Sequence, residues 1–378
     1  MLIGSTETKS PAEVPRMSRR LIPLVVLAAI LAAPTPATAW HQCGHMTTAR
    51  IAWQQLNDKE RVQIAKILKA HPHYDVYLTA KRPIDLASEP EWAFVQSTIW
   101  ADWVRDPNAP YLRDLAPRLD AAKSKAIQQQ FNKPVWHYVD LPFIHPRDVG
   151  KFDEAAIRKE ILEPYYDDKG EPRHALAALE QSMKQLQNAD TPDADKAVAL
   201  CWLGHVVGDL HQPLHGCSLI ASKETYDPPL SPPGGDQGGN LVIIRVKPSD
   251  TKFTKLHFFW DALLFGEDQS YAAVQALADK LLKDPKLQRN QLPELKARDF
   301  LAWAEESREL CKKVVYKDKD AMLKVQTVPP GKVDWAALDP PALPAGYAEA
   351  AEAAAARRMT IAGYRLADQI RIALKSRE

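Results

Sequence analysis

The chain has 378 residues, of which 46% are hydrophobic and 26% charged, as is usual for a globular protein with a real core. Its formal net charge is +1. A protein that held nucleic acid mainly through its phosphates would carry a basic excess. If this chain binds nucleic acid, the positive charge must be local or must come from bound metal.

The first 39 residues have the pattern of a secretory signal peptide. Three arginines precede an apolar run over residues 21–33, and a small-residue site, Ala-Thr-Ala, follows at 37–39. The run is too short to cross a bilayer. We therefore predict cleavage between Ala39 and Trp40, a secreted or periplasmic location without stable membrane association, and a single catalytic domain over residues 40–378.

The mature chain would carry four cysteines in an oxidising compartment, where thiols can pair. Four cysteines allow three pairings, and the sequence does not choose among them. We predict disulfide bonding without assigning partners among Cys43, Cys201, Cys217 and Cys311.

Hydrophobic periodicity predicts an all-α fold with one small strand segment or β-hairpin. In chain order, helical spacing covers residues 47–56, 59–70, 92–104, 154–187 with breaks near Pro164 and Pro172, 194–210, 255–265, 270–282, 295–315 and 348–375. The helix at 194–210 is apolar nearly all round, so it should be buried. An extended piece is expected at 135–141, closed by Pro142, and a strand at 241–246. Residues 228–240 and 328–344, rich in Pro or Gly, are expected to be loops.

Two pairs of His and Asp lie four residues apart: His205 with Asp209, and His257 with Asp261. Residues at this spacing share one helix face, so both side chains of a pair can reach one zinc ion. An unpaired Asp209 on so apolar a helix would cost several kcal/mol, of the order found for other buried charges. No Lys or Arg lies between residues 197 and 220 to supply a counter-charge, so a metal ion is the expected partner.

Other histidines and aspartates extend these pairs into a set of nitrogen and oxygen ligands. A single helical histidine is more often a packed core residue than a ligand, and only the joint pattern favours metal. The further candidate ligands are His45, Asp102, His137 and His215. Five histidines at loops or helix edges are interpreted as surface residues: His41, His71, His73, His145 and His174. His211 is interpreted as a structural residue.

These motifs resemble the zinc-dependent single-strand nucleases and 3′-nucleotidases of fungi, plants and bacteria, which share a fold with bacterial zinc phospholipase C. The resemblance runs in order from residue 40 to residue 367. It is carried by Trp40 with Gly44-His45, Trp100-Ala101-Asp102-x-x-Arg105, His137-Tyr138-Val139-Asp140, Gly204-His205-x-x-Gly208-Asp209-x-His211-Gln212-Pro213-Leu214-His215, Gly234-Gly235-Asp236-x-Gly238-Gly239-Asn240, Leu256-His257-x-x-x-Asp261, and Ala362-Gly363-Tyr364-Arg365-Leu366-Ala367.

The resemblance implies three zinc ions. The first would be held by Asp102, His137, His205 and Asp209. The second would share Asp209 and add His45 and the amino group and carbonyl of Trp40. The third, set apart, would be held by His215, His257 and Asp261. The α-amino group of Trp40 exists only after cleavage, which would give the signal peptide a chemical purpose.

The resemblance also implies the substrate and the supporting residues. Single-stranded DNA or RNA would be cleaved to 5′-phosphate products, and 3′-nucleotides would lose their phosphate. Asp102 would help to orient the attacking water and Arg105 would contact the phosphate. Tyr138 and Asp140 would bind a base, by stacking and by hydrogen bonding, and Asn240 would approach the nucleotide.

Two alternatives remain open from the sequence. A phospholipase C would share the zinc sites and act on phospholipid head groups, but it would not need Tyr138, Asp140 or the Gly-rich loop. A zinc-storage protein would need neither Arg105 nor an open coordination position.

Overall fold

Several helices begin where the sequence supplies a capping side chain. Asn57 accepts a hydrogen bond from the backbone N–H of Glu60, whose carboxylate accepts in turn from the Asn57 N–H. This reciprocal pair satisfies two backbone donors that a helix start otherwise leaves without partners. The side chains of Ser88, Asp120 and Asp153 cap later helices through one such bond each.

A computed structural model describes Met1 and residues 40–375, with positions 113, 267 and 332 excepted. The predicted signal peptide, residues 1–39, lies outside the described residues apart from Met1. All of the elements below belong to one compact unit, residues 37–378.

The described residues form twelve α-helices. They are α1 (Gln42–Gln55), α2 (Asp58–Lys69), α3 (Glu89–Ser97), α4 (Trp100–Arg105), α5 (Ala121–Phe131), α6 (Glu154–Leu162), α7 (Ala175–Gln187), α8 (Asp193–Asp209), α9 (Leu256–Asp261), α10 (Tyr271–Lys283), α11 (Phe300–Leu310) and α12 (Tyr347–Lys375). Short 3-10 turns occur between them, including Pro134–His137 and Pro213–His215.

The strands are short. They are β1 (Pro142–Ile144), β2 (Ser218–Ile220), β3 (Val242–Ile244), β4 (Thr254–Lys255), β5 (Lys317–Asp318), β6 (Ala321–Met322) and β7 (Gln326–Thr327). β1 runs parallel to β2, with Pro142 opposite Ser218. β3 lies between β4 and β7 and is antiparallel to both, and β5 pairs antiparallel with β6.

The all-α fold class is confirmed, and so is the strand predicted at 241–246, which contains β3. The extended segment predicted at 135–141 is wrong over its first part, because Pro134–His137 is a 3-10 turn, whereas Tyr138 is extended. β1 begins at Pro142, where the segment was predicted to end. The reason is non-local, since β1 is a strand only because distant β2 pairs with it. Helix α5 was not predicted because none of its residues is buried and it has no apolar stripe.

Two further differences from the predicted helix boundaries bear on the site. The helix expected at 92–104 is divided into α3 and α4 at Thr98, whose carbonyl oxygen accepts a hydrogen bond from a histidine of α8. The helix expected from residue 47 begins at Gln42, so its first turns carry His45. Local periodicity missed this start because the segment is polar, although α1 is buried over most of its length.

Helix α8 lies at the centre of the described helices. Residues 199–209 are all buried, as predicted, and α8 packs against α7 and α12 and more lightly against α1 to α4. Helix α1 lies along α12, where Gly363 allows close approach: a Cβ at this position would lie 2.5 Å from Cγ2 of Ile51. The last helix therefore supports the helix that carries His45.

All four cysteines are buried thiols. The Cys311 thiol donates a hydrogen bond to the carbonyl oxygen of Pro213 (Sγ–O 3.3 Å) and also lies within hydrogen-bonding distance of the Cys217 side chain. Disulfide bonding stays a prediction, and Cys217 with Cys311 is the pairing that this contact supports. Over the part of the chain that the structure describes, no helix has the length and apolar character needed to cross a membrane.

Candidate metal centre

Helix α8 presents His205 and Asp209 from one face, both fully buried. His205 donates from Nδ1 to the carbonyl oxygen of Thr98 (2.7 Å), which leaves its Nε2 3.2 Å from Oδ2 of Asp209. Gly208 lies between them on the helix, and a Cβ there would come within 2.6 Å of Nδ1 of His45. The glycine therefore lets the His45 ring lie directly against α8.

Three other elements bring side chains to Asp209. His45 of α1 places Nε2 3.2 Å from Oδ1, and His137 of the 3-10 turn places Nδ1 3.2 Å from Oδ2. Asp102 of α4 approaches the same nitrogen of His205, with Oδ1 3.9 Å from Nε2. We call His45, Asp102, His137, His205 and Asp209 the Asp209 cluster. Its ligand atoms lie close enough together to surround metal ions.

A second group combines His215, His257 and Asp261, and we call it the Asp261 triad. The Nε2 atoms of the two histidines lie 3.1 Å apart, and Nε2 of His257 lies 3.4 Å from Oδ2 of Asp261. Each histidine donates its Nδ1 proton to a backbone carbonyl oxygen, of His137 (2.7 Å) and Gly238 (2.6 Å) respectively. These bonds fix the tautomer and turn both Nε2 atoms towards the shared position.

Gln212 completes the support of the triad. Its Nε2 donates to Oδ1 of Asp261 (2.7 Å), which leaves Oδ2 for another partner. Gln212 was not among the predicted site residues. Its position between His211 and Pro213, in a motif with several candidate ligands, could have indicated a supporting role. Carboxylates that bind metal are usually held by hydrogen bonds from such neighbours.

The electrostatics of both groups suit a cation. Burial lowers the pKa of His205, but the carboxylates of Asp209 and Asp102 outweigh burial and raise it to about 9. Burial raises the pKa of Asp261 well above its usual range. Several ligand atoms are buried without a hydrogen-bond partner; they are Nδ1 and Nε2 of His45, Oδ1 of Asp102, Nε2 of His137, Oδ1 of Asp209 and Oδ2 of Asp261. Nitrogen and oxygen donors in this number fit zinc ions.

The predicted N-terminal residue packs against the turn that leads to His45. Trp40 is fully buried and packs on the first turn of α1, where its Cβ lies 2.7 Å from the position of a Cβ at Gly44. The next residue, His41, donates its backbone N–H to the carbonyl oxygen of Asp261 (2.9 Å). The chain entering α1 is thus tied to the helix of the triad.

Arg105 ends α4 and is close to both groups. Burial lowers the pKa of His137 to about 4, and the positive charge of Arg105 adds to that shift. Burial likewise lowers the pKa of His257, and Arg105 contributes there too. One guanidinium therefore acts on a histidine of the Asp209 cluster and on a histidine of the Asp261 triad.

The predicted base-binding residues follow His137 directly. Tyr138 is 37% exposed. Asp140 is half-buried, and burial together with the charge of Asp236 raises its pKa to about 7. Asn240 lies in the Gly-rich loop, where its Nδ2 donates to the carbonyl oxygen of Gln237 (3.0 Å).

Four histidines interpreted as surface residues are buried, so that interpretation is wrong for His71, His73, His145 and His174. His71 and His73 pack around Trp100, whose Nε1 donates to Nδ1 of His73 (3.0 Å). His145 and His174 each accept a hydrogen bond from a nearby backbone N–H. His41 is half-buried. Each of the buried four acquires its neighbours from the fold, which loop position alone does not reveal.

His211 lies outside both groups, as expected of a structural residue. Its Nδ1 donates to the carbonyl oxygen of Val207 (2.7 Å) and its Nε2 accepts from Arg365 (2.8 Å). Arg365 and Arg358 of α12 also pair with Glu306 of α11, and Arg358 donates to the carbonyl oxygen of His211. These buried cations hold the carboxyl end of α8. Arg365 lies in one of the motifs that carry the resemblance, whereas Arg358 lies in none of them.

The helical fold and the two adjacent groups of buried His and Asp define a helical metalloenzyme. Residues 40–375 match the family described as S1/P1 Nuclease, and the chain belongs to that family. It is a nuclease, a hydrolase of a metal-dependent and generally secreted family, and its substrate is nucleic acid. A search of curated proteins found no match.

Proposed function

We propose that this nuclease is a zinc-dependent phosphodiesterase that cleaves single-stranded DNA or RNA to 5′-phosphate products and also removes the phosphate of 3′-nucleotides. The observation that supports this proposal is the exposed ring of Tyr138 beside His137, with Asp140 half-buried nearby. An aromatic face can stack any base, but only a base that has left a double helix can reach it. Single strands are therefore the preferred substrate.

We propose three zinc ions, two at the Asp209 cluster together with the Trp40 terminus and one at the Asp261 triad. Bound zinc would acidify water to supply a nucleophile near neutral pH and would neutralise charge on the phosphate. The chain's own residues position the substrate. The Arg105 guanidinium, close to both groups, can donate paired hydrogen bonds to phosphate oxygens. Asp102 orients the attacking water by accepting its hydrogen bond.

The base site uses two chemistries. The face of Tyr138 stacks the base, and this does not select sequence. Asp140 reads the edge of the base, and its raised pKa matters here, because the protonated carboxyl can donate a hydrogen bond whereas the carboxylate only accepts. Asn240 contacts the same nucleotide from the Gly-rich loop.

The purified protein is expected to degrade single-stranded DNA faster than duplex DNA and to leave phosphatidylcholine vesicles intact. Tyr138→Ala should weaken binding of single strands by about 1–3 kcal/mol, the value of one stacked base. Its zinc content and its rate on bis(4-nitrophenyl) phosphate, which carries no base, should match the wild type. Equal losses on both substrates would make Tyr138 structural, and hydrolysis of the phospholipid in place of DNA would make the protein a phospholipase C.

We propose that the mature protein is a single catalytic domain, residues 40–378, secreted or periplasmic after cleavage between Ala39 and Trp40. A form with one extra residue before Trp40 should fold, bind fewer than three zinc ions and lose most activity. An amide nitrogen at this position is a poor zinc ligand, and Trp40 is already fully buried. Zinc per chain and the rate on single-stranded DNA are compared before and after proteolytic trimming to Trp40. Full zinc and full activity in the extended form would remove Trp40 from the ligand set.

A further inference from the structure

Two aromatic side chains stand out of the surface next to the metal groups. Among the large hydrophobic side chains that the structure describes, the exposed aromatic ones are Tyr138 (37%) and Phe258 (40%). Each directly follows a histidine of one group, His137 in the Asp209 cluster and His257 in the Asp261 triad. Tyr138 has a place in the proposed function, whereas Phe258 has none so far.

The position of Phe258 differs from that of a scattered surface residue. It belongs to α9, where Leu256, His257, Trp260 and Asp261 are all buried. A single exposed hydrophobic residue normally needs no explanation. Here, however, the exposed ring sits on the six-residue helix that supplies two of the three triad residues, so anything held by the triad lies within reach of α9.

The two aromatic positions belong to connected parts of one site. His215 donates from Nδ1 to the carbonyl oxygen of His137, the residue before Tyr138, and its Nε2 lies 3.1 Å from Nε2 of His257, the residue before Phe258. His215 therefore contacts both the backbone before Tyr138 and the side chain of the residue before Phe258.

Cations accompany Phe258. Lys255, at the start of α9, is half-buried and extends its Nζ to 3.4 Å from Oδ1 of Asn240. Arg105 ends α4, three residues after Asp102 of the Asp209 cluster. A surface that combines an exposed aromatic ring with nearby cations suits an anionic strand that carries flat bases, since its phosphates meet charge and its bases can stack.

We propose that Phe258 is a second base-stacking platform, which binds the base of the nucleotide adjoining the one held at Tyr138 in a single-stranded substrate. This inference rests on the proposed function and extends it from one nucleotide to two. A dinucleotide segment is thereby held at both ends, with its phosphodiester beside the metal groups. The platform favours no base sequence, because every base presents a stacking face.

The test compares substrates with one base and with two. Phe258→Ala should raise KM for a dinucleoside monophosphate about tenfold, as expected for the loss of one stacked base. It should leave KM for a 3′-nucleotide unchanged, whereas Tyr138→Ala should raise both. Phe258→Trp should restore dinucleotide binding. Ile372→Ala, which trims an exposed residue of α12, is the matched control and should change neither substrate.

Two further measurements separate this inference from the function on which it rests. A dinucleotide analogue that lacks its second base should be cleaved equally by wild type and Phe258→Ala. Equilibrium binding of non-hydrolysable analogues of dithymidylate and of thymidine 3′-phosphate gives a readout that needs no turnover, and zinc per chain checks that His257 still binds metal. If wild type cleaves neither substrate, the proposed function fails. If Phe258→Ala binds dithymidylate as tightly as wild type, or loses affinity equally for both ligands, the second platform is overturned.

Discussion

Chelation is expected to abolish nuclease activity and to lower the melting temperature by about 10 °C or more. Asp209 and Asp261 are fully buried, and leaving each carboxylate there without its ion costs several kcal/mol. Each kcal/mol shifts the melting temperature by about 1–2 °C in a chain of this size. The measurement is thermal unfolding with and without EDTA, alongside the rate on single-stranded DNA.

Restoring zinc after removing the chelator should recover both properties, which controls for irreversible loss of protein. An unchanged melting curve after complete removal of metal would contradict the expectation. It would mean that hydrogen bonds such as that from Gln212 to Asp261 satisfy the buried carboxylates without an ion.

Replacing Asp209 should do more harm than replacing Asp261. Asp209 lies 3.2 Å from a nitrogen of each of three histidines, His45, His137 and His205, whereas Asp261 faces His257 and Gln212. Asp209→Asn should therefore empty two zinc positions and reduce the rate by at least about 100-fold, the upper end of the effect of losing a partner outside the coordination shell. Asp261→Asn should empty one position and cost less.

Zinc per chain by elemental analysis and the rate on single-stranded DNA give the comparison. Asp148→Asn is the matched control: Asp148 is equally buried, but it bonds Ser222 and Lys151 and lies in neither metal group. It should change stability and leave zinc content intact. Equal zinc loss from the two test variants would show that Asp209 is not shared between two ions.

The sequence predicted those parts of the site that depend on local spacing. His205 with Asp209, and His257 with Asp261, had to share helix faces because each pair spans one turn. The buried character of α8 followed from its composition. The hydrogen-bond partners of these histidines could not be predicted in this way. The carbonyl oxygens of Thr98 and Gly238 accept from histidines only because segments distant in sequence lie together in the fold.

The errors have the same origin. His71 is buried because the ring of Trp100 packs edge-on against it, and β1 is a strand because β2 lies beside it. Phe258 is the reverse case, an exposed residue within an apolar stretch of sequence. Its exposure could not be read from the sequence, where Phe258, Phe259 and Trp260 form one apolar run with Leu256.

The order in which the chain is synthesised differs from the order in which it can pack. Helix α1 carries His45, and its principal neighbour is α12, which lies far from it along the chain. The terminal methyl of Met359 lies 3.1 Å from where a Cβ at Gly44 would be, so α12 contacts the very turn that leads to His45. Until α12 has been synthesised, α1 lacks that support. The Asp209 cluster is therefore fully supported only once α12 has packed on α1, and a chain truncated before α12 should bind less zinc.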